Sequence, residues 1–264
     1  MDHIVIDREL CARDGICMAE CPARIIQEDP EGYPLLAAED VARCISCGHC
    51  LAVCPHAALT LEGVTPAECP PLGNGPALAT ETVTALATGR RSVRSFRREP
   101  VPRDAIERLI DLARWAPSAR NGQPVHWTVL DGREKVREAA ALVADWFRAV
   151  GVYPELVAAW EEGEDRILRG APHLLVVHAA AEGFRPAADC VIALTTLELA
   201  VHGLGLGACW AGYFMAAAGA YDPVKELLDL PDGHQTYGAL MLGVPRYRYQ
   251  RVPPRTAARV TWRA

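Results

Sequence analysis

Several common signals are missing from this chain, and each absence narrows what it can be. The N-terminal MDHIVIDREL has neither a basic start nor a long apolar core, so no secretory leader is expected there. Basic residues are scarce at the front. Residues 1–62 hold Arg8, Arg13, Arg24 and Arg43 against eleven acids, a net charge of −7. The whole 264-residue chain carries −6, which leaves the remainder at +1. That balance argues against a nucleic-acid partner. The most apolar stretch, Cys190 to Ala220, lacks the uniformity of a membrane span, because it holds Glu198, His202 and five glycines. Burying that carboxylate in lipid would be costly, so no membrane association is expected and a buried core or subunit interface is. A glycine-rich dinucleotide fingerprint is also missing. GLGLGACWAGYF, residues 203–214, is read as following a helix instead of opening one after a strand.

Cysteine, by contrast, is abundant and unevenly placed. Disulfide scaffolds are short secreted chains. Here seven of the ten cysteines fall within the first 54 residues at ligand spacing. That pattern points to bound metal in a reducing compartment, and the expected location is the cytoplasm. CARDGICMAECP (11–22) recurs 33 residues later as CISCGHCLAVCP (44–55). The offset sets Cys11 on Cys44, Cys17 on Cys50, Cys21 on Cys54, Gly15 on Gly48 and Asp14 on Cys47. The second copy is a complete C-x2-C-x2-C-x3-C-P run, and the first has aspartate in place of its second cysteine.

Half the residues are hydrophobic and 23% are charged, which suits folded domains. Three segments emerge. Residues 1–62 form a small repeat domain with strands at HIVID and ALTLEG. Residues 63–79, with four prolines and three glycines, form a linker. Residues 80–264 form an α+β domain. In it a helix at TETVTALATG is closed by Gly89, and a second spans 103–115 with Ile106, Leu109, Ile110 and Ala113 at helical spacing. Strands are expected at HLLVVHA (173–179) and YGALMLGV (237–244). A domain of about 60 residues buries little surface, so bound metal would stabilise it as well as function in it. Cys69, Cys190 and Cys209 lie outside the runs, and the last two are read as small core residues.

Soft thiolates at this close spacing let one loop wrap an iron–sulfur cluster, whereas structural zinc usually takes two separated Cys-x2-Cys pairs. On these runs, residues 1–62 resemble bacterial two-cluster ferredoxins. In that family the fourth cysteine of each run ligates the other cluster. The resemblance therefore implies one 4Fe-4S cluster on Cys44, Cys47, Cys50 and Cys21. It implies a second on Cys11, Cys17 and Cys54 with Asp14 at the fourth corner. Three outcomes stay open for that corner: an oxygen-ligated 4Fe-4S cluster, a 3Fe-4S cluster lacking that iron, or a solvated Asp14 that touches no iron.

Four stretches of the larger domain form a second constellation. RRSVRSF (90–96) offers Arg90, Arg91, Ser92 and Arg94 as donors for a phosphate. APSARNGQPVHW (116–127) sets Ser118, Asn121 and Gln123 on a turn between prolines, suited to hydroxyls and a polar ring edge. GLGLGACWAGYF and PRYRYQRVPPR (245–255), with Arg251 and Arg255, complete the series. In this order they resemble the FMN-binding nitroreductase family, and the whole chain resembles the branch with a ferredoxin domain in front. The implied fold is a ferredoxin-like two-cluster domain followed by an α+β domain with a sheet flanked by helices. The implied FMN contacts are Arg90, Arg91, Ser92, Arg94, Arg251 and Arg255 near the phosphate. Pro117, Ser118, Ala119, Asn121 and Gln123 would meet the ribityl chain and ring, and backbone at Ala211 and Gly212 would lie near the reactive nitrogen. No side-chain acid or base is required.

The resemblance also implies a homodimer with FMN at its interface and a small-molecule acceptor. Nitroaromatics and quinones are the family's usual acceptors, with an activated alkene or a carbon–halogen bond as the rival. The other class of reading is a non-catalytic electron carrier or redox sensor. The donor is either NAD(P)H or an external one-electron protein, and the acidic head disfavours an equally acidic ferredoxin. Trp146, Phe147, Tyr153 and Trp160, within 145–160, are read either as a cover over the flavin or as core packing.

Overall fold

The computed structural model describes residues 3–72 and 78–263. The chain divides into two compact units, Met1–Ala77 with Arg120–Gly122, and Leu78–Ala119 with Gln123–Ala264. Part of the expected linker, residues 73–77, lies outside the described residues.

The first unit runs β1 (Ile4–Ile6), α1 (Ile16–Glu20), β2 (Ile26–Glu28), β3 (Pro34–Leu36), α2 (His49–Val53) and β4 (Leu59–Leu61). Strands β1 and β4 pair antiparallel, as do β2 and β3. The sequence repeat is equally a backbone repeat. Arg13 and Ser46 have φ of 56° and 48°, Gly15 and Gly48 have 71° and 73°, and Arg24 and Ala57 both have 52°. Each pair is 33 residues apart. These left-handed turns bend the chain around each thiol run, and glycine takes the one that opens the following helix. Helices of five residues do not hold alone. Here they pack on a core of Ile25, Ile26, Leu51, Leu59 and Leu61 that also contains Cys17, Cys21 and Cys50.

The second unit runs α3 (Thr80–Gly89), α4 (Arg103–Ala113), β5 (His126–Asp131), α5 (Arg133–Val150), α6 (Pro154–Glu161), β6 (His173–Ala180), α7 (Pro186–Gly203), β7 (Gly207–Trp210), α8 (Gly212–Ala220), α9 (Asp222–Leu228) and β8 (His234–Gly243). Its sheet has the order β5-β6-β8-β7, with every neighbour antiparallel. Helices cover both faces. Leu174 and Val176 of β6 join Ala239 and Met241 of β8 under α5 and α8. Leu175 and Val177 join Leu240 and Leu242 under α4 and α7. A strand buried on both faces reads as a continuous apolar run, which is why β6 was legible.

One expectation needs correction. The apolar 190–220 segment is helix, strand and helix, and α8 does open after a strand. Strand β7 is four residues long with a glycine in it, too short and atypical to show a period. Gly207 is required there, since a Cβ would lie 2.8 Å from Val93 Cγ2. No described helix is long and apolar enough to cross a membrane. Phe147 is wholly buried in the core, with Trp146 and Trp160 partly buried against it, whereas Tyr153 is 45% exposed. Cys190 and Cys209 are buried as expected, and burial pushes the Cys190 thiol up to about 12.

Strands β5, β6 and β8 bring three imidazoles together. His178 Nδ1 lies 2.9 Å from His234 Nδ1, and the His126 ring stands 4.8 Å from that of His234. Burial, followed by repulsion from the two neighbouring rings, lowers His178 from 6.5 to about 4. Between those values the unfolded chain binds a proton that the folded chain refuses. Folding stability should therefore fall as pH drops from 6.5 toward 4, by on the order of 2–3 kcal/mol from this group. His178→Gln should flatten that part of the curve in denaturant titrations across the range. An unchanged slope would remove His178 as its source.

Candidate functional site

The two cysteine runs converge on two separate cavities. One is walled by Cys21, Cys44, Cys47 and Cys50. The other is walled by Cys11, Cys17 and Cys54, together with Asp14 and His56. Each wall takes its fourth position from the opposite run. Thiol electrostatics follow the same grouping. Burial raises Cys17, with Cys54, Asp14 and Cys11 adding repulsion. Burial, then crowding by Cys47, Cys44 and Cys17, pushes Cys50 up to about 11. Thiols held this close and protonated suit a polynuclear centre that would bind them as thiolates. Among the described residues no three His, Cys, Asp or Glu groups converge on a point that one metal ion could occupy. Thiols gathered from both runs on one wall suit an iron–sulfur cluster, whose corners are ligated separately.

Asp14 reaches the cavity wall, but its Oδ1 also accepts a hydrogen bond from Ile16 N–H at 3.1 Å. It thus serves the first turn of α1. His56 was missed in the sequence. The 33-residue offset sets it against Ala23, so the signal was present in the same repeat. Asn121 is held by backbone of the second cysteine run. Its Nδ2 donates to the carbonyls of Ser46 at 3.0 Å and Ile45 at 3.3 Å, within the Cys44–Cys47 run, and residues 120–122 belong to the first unit.

In the second unit the arginine stretch is pinned to the sheet edge. Val93 N–H donates to Ala208 O at 2.8 Å, Arg97 N–H to Val244 O at 2.9 Å and Arg246 N–H to Ser95 O at 2.9 Å. These bonds present Arg90, Arg91, Arg97, Arg246, Arg248 and Arg251 to one cavity of about 650 Å³. Arg90 Nη1 pairs with Glu198 Oε1 at 3.0 Å, and Trp210 Nε1–H donates to Glu198 Oε2 at 3.2 Å. Arg91 differs, because its Nε is buried without a hydrogen-bond partner among the described residues. Its guanidinium lies 5.9 Å from the Tyr249 ring. A half-buried arginine whose Nε–H is buried and unmet suits an anionic oxygen, so the residues present fit a phosphate-bearing cofactor.

Ser92, Arg94 and Arg255 do not wall this cavity. Ser92 bridges to Ala208, Arg94 is exposed with its Nη1 3.4 Å from Ser92 O, and Arg255 lies in exposed coil. The turn after α4 is built by two side chains. Ser118 Oγ accepts from Gln123 N–H at 2.9 Å, and buried Asp189 accepts from Ala119 N–H at 2.9 Å. Pro117 is exposed. Ala211 is buried, its N–H bonded to Ala239 O, and Gly212 begins α8 at the surface.

The nitroreductase family profile matches residues 87–244, and a 4Fe-4S dicluster domain profile matches residues 3–58. An FMN reductase (NAD(P)H) of Bacillus subtilis is 29% identical over 185 residues, covering 66% of this chain and 69% of that protein. A nitroreductase with bound FMN from Desulfitobacterium hafniense superposes with a TM-score of 0.58 at 24% identity, covering 70% and 99% of the two chains. Iodotyrosine deiodinase bound to FMN and 3-iodo-L-tyrosine gives 0.53 at 21% identity, covering 69% and 99%. At those identities the two structural likenesses establish the fold alone.

Glu198 is the buried group on which the arginine stretch rests. Glu198→Leu would strand the Arg90 guanidinium and the Trp210 N–H. Breaking a buried pair costs about 3–5 kcal/mol, and partial exposure of Arg90 should reduce this to about 2–3 kcal/mol. Thermal and denaturant unfolding of the variant measure it. A loss below about 0.5 kcal/mol, the range of ordinary surface substitutions, would make the pair incidental.

Proposed function

Because this chain belongs to the nitroreductase family and carries a 4Fe-4S dicluster domain ahead of it, we propose that clusters pass single electrons to FMN for reduction of a small organic acceptor. The protein is an FMN-dependent oxidoreductase with iron–sulfur clusters. The observation that carries the electron path is the pair of thiol cavities, each walled from both runs, in the same chain as the arginine-lined cavity. Bound FMN supplies the exchange between one-electron donors and a two-electron reduction. Arg91 holds the phosphate with its otherwise unmet Nε–H, and Arg90, fixed by Glu198, adds charge beside it. Arg251 closes the cavity from the C-terminal coil, while Ser92, Arg94 and Arg255 complete the phosphate shell in this proposal. The turn from Pro117 to Gln123, with Ser118 and Ala119 braced as described, positions the ribityl chain and ring, and the Ala211–Gly212 backbone faces the reactive edge.

A homodimer is part of the proposal. Val191 and Ile192 of α7, each 39% exposed, and Leu204, 41% exposed, leave an apolar stripe for a second copy to cover. The acceptor is proposed to be a nitroaromatic or quinone. Reduction of an activated alkene or a carbon–halogen bond is the second reading, and a fold shared with iodotyrosine deiodinase is consistent with the latter. A carrier or sensor role would instead give turnover indifferent to the acceptor.

Arg91→Ala should weaken FMN binding about ten- to a hundredfold, the effect of losing one charged hydrogen bond of about 1.5–3 kcal/mol. Flavin fluorescence titration measures this, and unchanged affinity would exclude Arg91 from the phosphate site. The electron path is tested by Cys47→Ser. The variant should keep FMN and any direct reduction by NAD(P)H, while reduction through a one-electron donor falls sharply. Retained flavin and oligomer size must be checked first, because ligand loss can unfold a small metal-stabilised domain. A folded, cluster-depleted variant that still accepts electrons from the one-electron donor at the wild-type rate would disprove the path.

A further inference from the structure

One wall of the arginine-lined cavity is not built by arginines. The last turns of α7 contribute Glu198, Val201 and His202 to it, and Gly205 and Leu206 follow just beyond the helix. Carbonyl groups at the C-terminal end of a helix carry partial negative charge, so this wall would repel an anion unless a side-chain donor stood on it. The Glu198 carboxylate accepts hydrogen bonds only, and Arg90 and Trp210 already engage it. His202, four residues on and therefore on the same helix face, is the one side chain among these five that can donate. It is half-buried, and among the described residues its ring has no hydrogen-bond partner.

The ring is also held in a definite place. A Cβ on Gly89 would lie 2.5 Å from its Nε2 and 3.1 Å from its Cε1. Gly89 is the last residue of α3, and its φ is not left-handed, so the backbone does not call for glycine there. The close approach of the imidazole does. The edge of the ring that bears Nε2 therefore lies against the residue directly before Arg90 and Arg91. All four residues wall the same cavity.

We propose that His202 is a further binding residue for the flavin phosphate, donating its Nε2–H to a phosphate oxygen beside Arg91. The inference rests on the reading of this cavity as the FMN phosphate site. Arginines approach the phosphate from the stretch after α3 and from the C-terminal coil, and His202 meets it from α7. A hydrogen bond from a third direction fixes the orientation of the phosphate as well as its position. Gly89 is then part of the site by what it lacks, because a side chain there would push the imidazole out of reach.

The test compares FMN with riboflavin, which lacks the phosphate, on the full-length protein with its clusters in place and its flavin removed. The wild type should bind FMN more tightly than riboflavin. His202→Phe keeps a ring against Gly89 but has no donor. It should weaken FMN about tenfold, the effect of losing one hydrogen bond to a charged group, and leave riboflavin unchanged. His202→Gln, which retains an N–H donor, should lose less. Nitrogen NMR of protein grown with labelled histidine gives a direct readout. The His202 signal, identified by its absence from the variants, should shift on adding FMN and not on adding riboflavin. Unchanged FMN affinity in His202→Phe, in a wild type that still prefers FMN, would overturn the assignment while the phosphate reading of the cavity stands. Equal losses for the two flavins would mark a packing role and overturn it as well. A wild type that binds FMN and riboflavin equally would overturn both readings. If the variants fail to fold, the wild-type spectra still decide, because a histidine signal must respond to FMN and not to riboflavin.

Discussion

The first unit depends on a single substitution of forces: metal–thiolate bonding stands where a larger domain would have hydrocarbon. Among the described residues its core cluster sets three thiols beside Ile25, Ile26, Leu51, Leu59 and Leu61. Protonated, those thiols are modest hydrophobes crowded against one another, and Cys50 is driven far from its ordinary value. Bound to iron as thiolates they would become cross-links between two runs offset by 33 residues, because each cavity is walled by both runs. Two short strand pairs and two helices of five residues then need little packing of their own. The left-handed turns at Arg13 and Ser46 represent the strain that this arrangement accepts, while Gly15 and Gly48 take theirs without steric cost.

The second unit solves a different problem, that of displaying several like charges without letting them repel the fold apart. The arginine stretch lies on the edge of β7, held by backbone bonds that do not depend on its side chains. A single buried carboxylate, Glu198, offsets one guanidinium and simultaneously satisfies the indole of Trp210. Among the described residues the Arg91 Nε has no hydrogen-bond partner, and an anionic oxygen would suit it. Gly207 packs closely on Val93, so a side chain at that glycine would clash with the stretch that carries the arginines.

Much of this could be read in the sequence where a strong local rule operated. The cysteine runs fixed both cavities because thiolate ligation tolerates few alternatives in type and spacing. Strands β6 and β8 and helices α3 and α4 followed from apolar periodicity and end signals. What escaped notice depended on tertiary context. Strand β7 exists because Gly207 can lie against Val93, and four residues carry no period. Phe147 is core because α5 and α8 meet over the sheet, which composition between residues 145 and 160 does not reveal. Ser92, Arg94 and Arg255 share their stretches with the cavity arginines but do not wall the cavity themselves, since sequence proximity does not fix side-chain direction.

The central claim is that electrons travel through the clusters to the flavin. Rapid mixing of the oxygen-free wild-type protein with a reduced one-electron carrier, with clusters and flavin followed by their separate spectra, tests it most directly. The account predicts that the clusters are reduced first and that flavin reduction follows at the rate of their reoxidation. Flavin reduced while the clusters remain oxidised, or clusters that stay reduced beside an oxidised flavin, would contradict it.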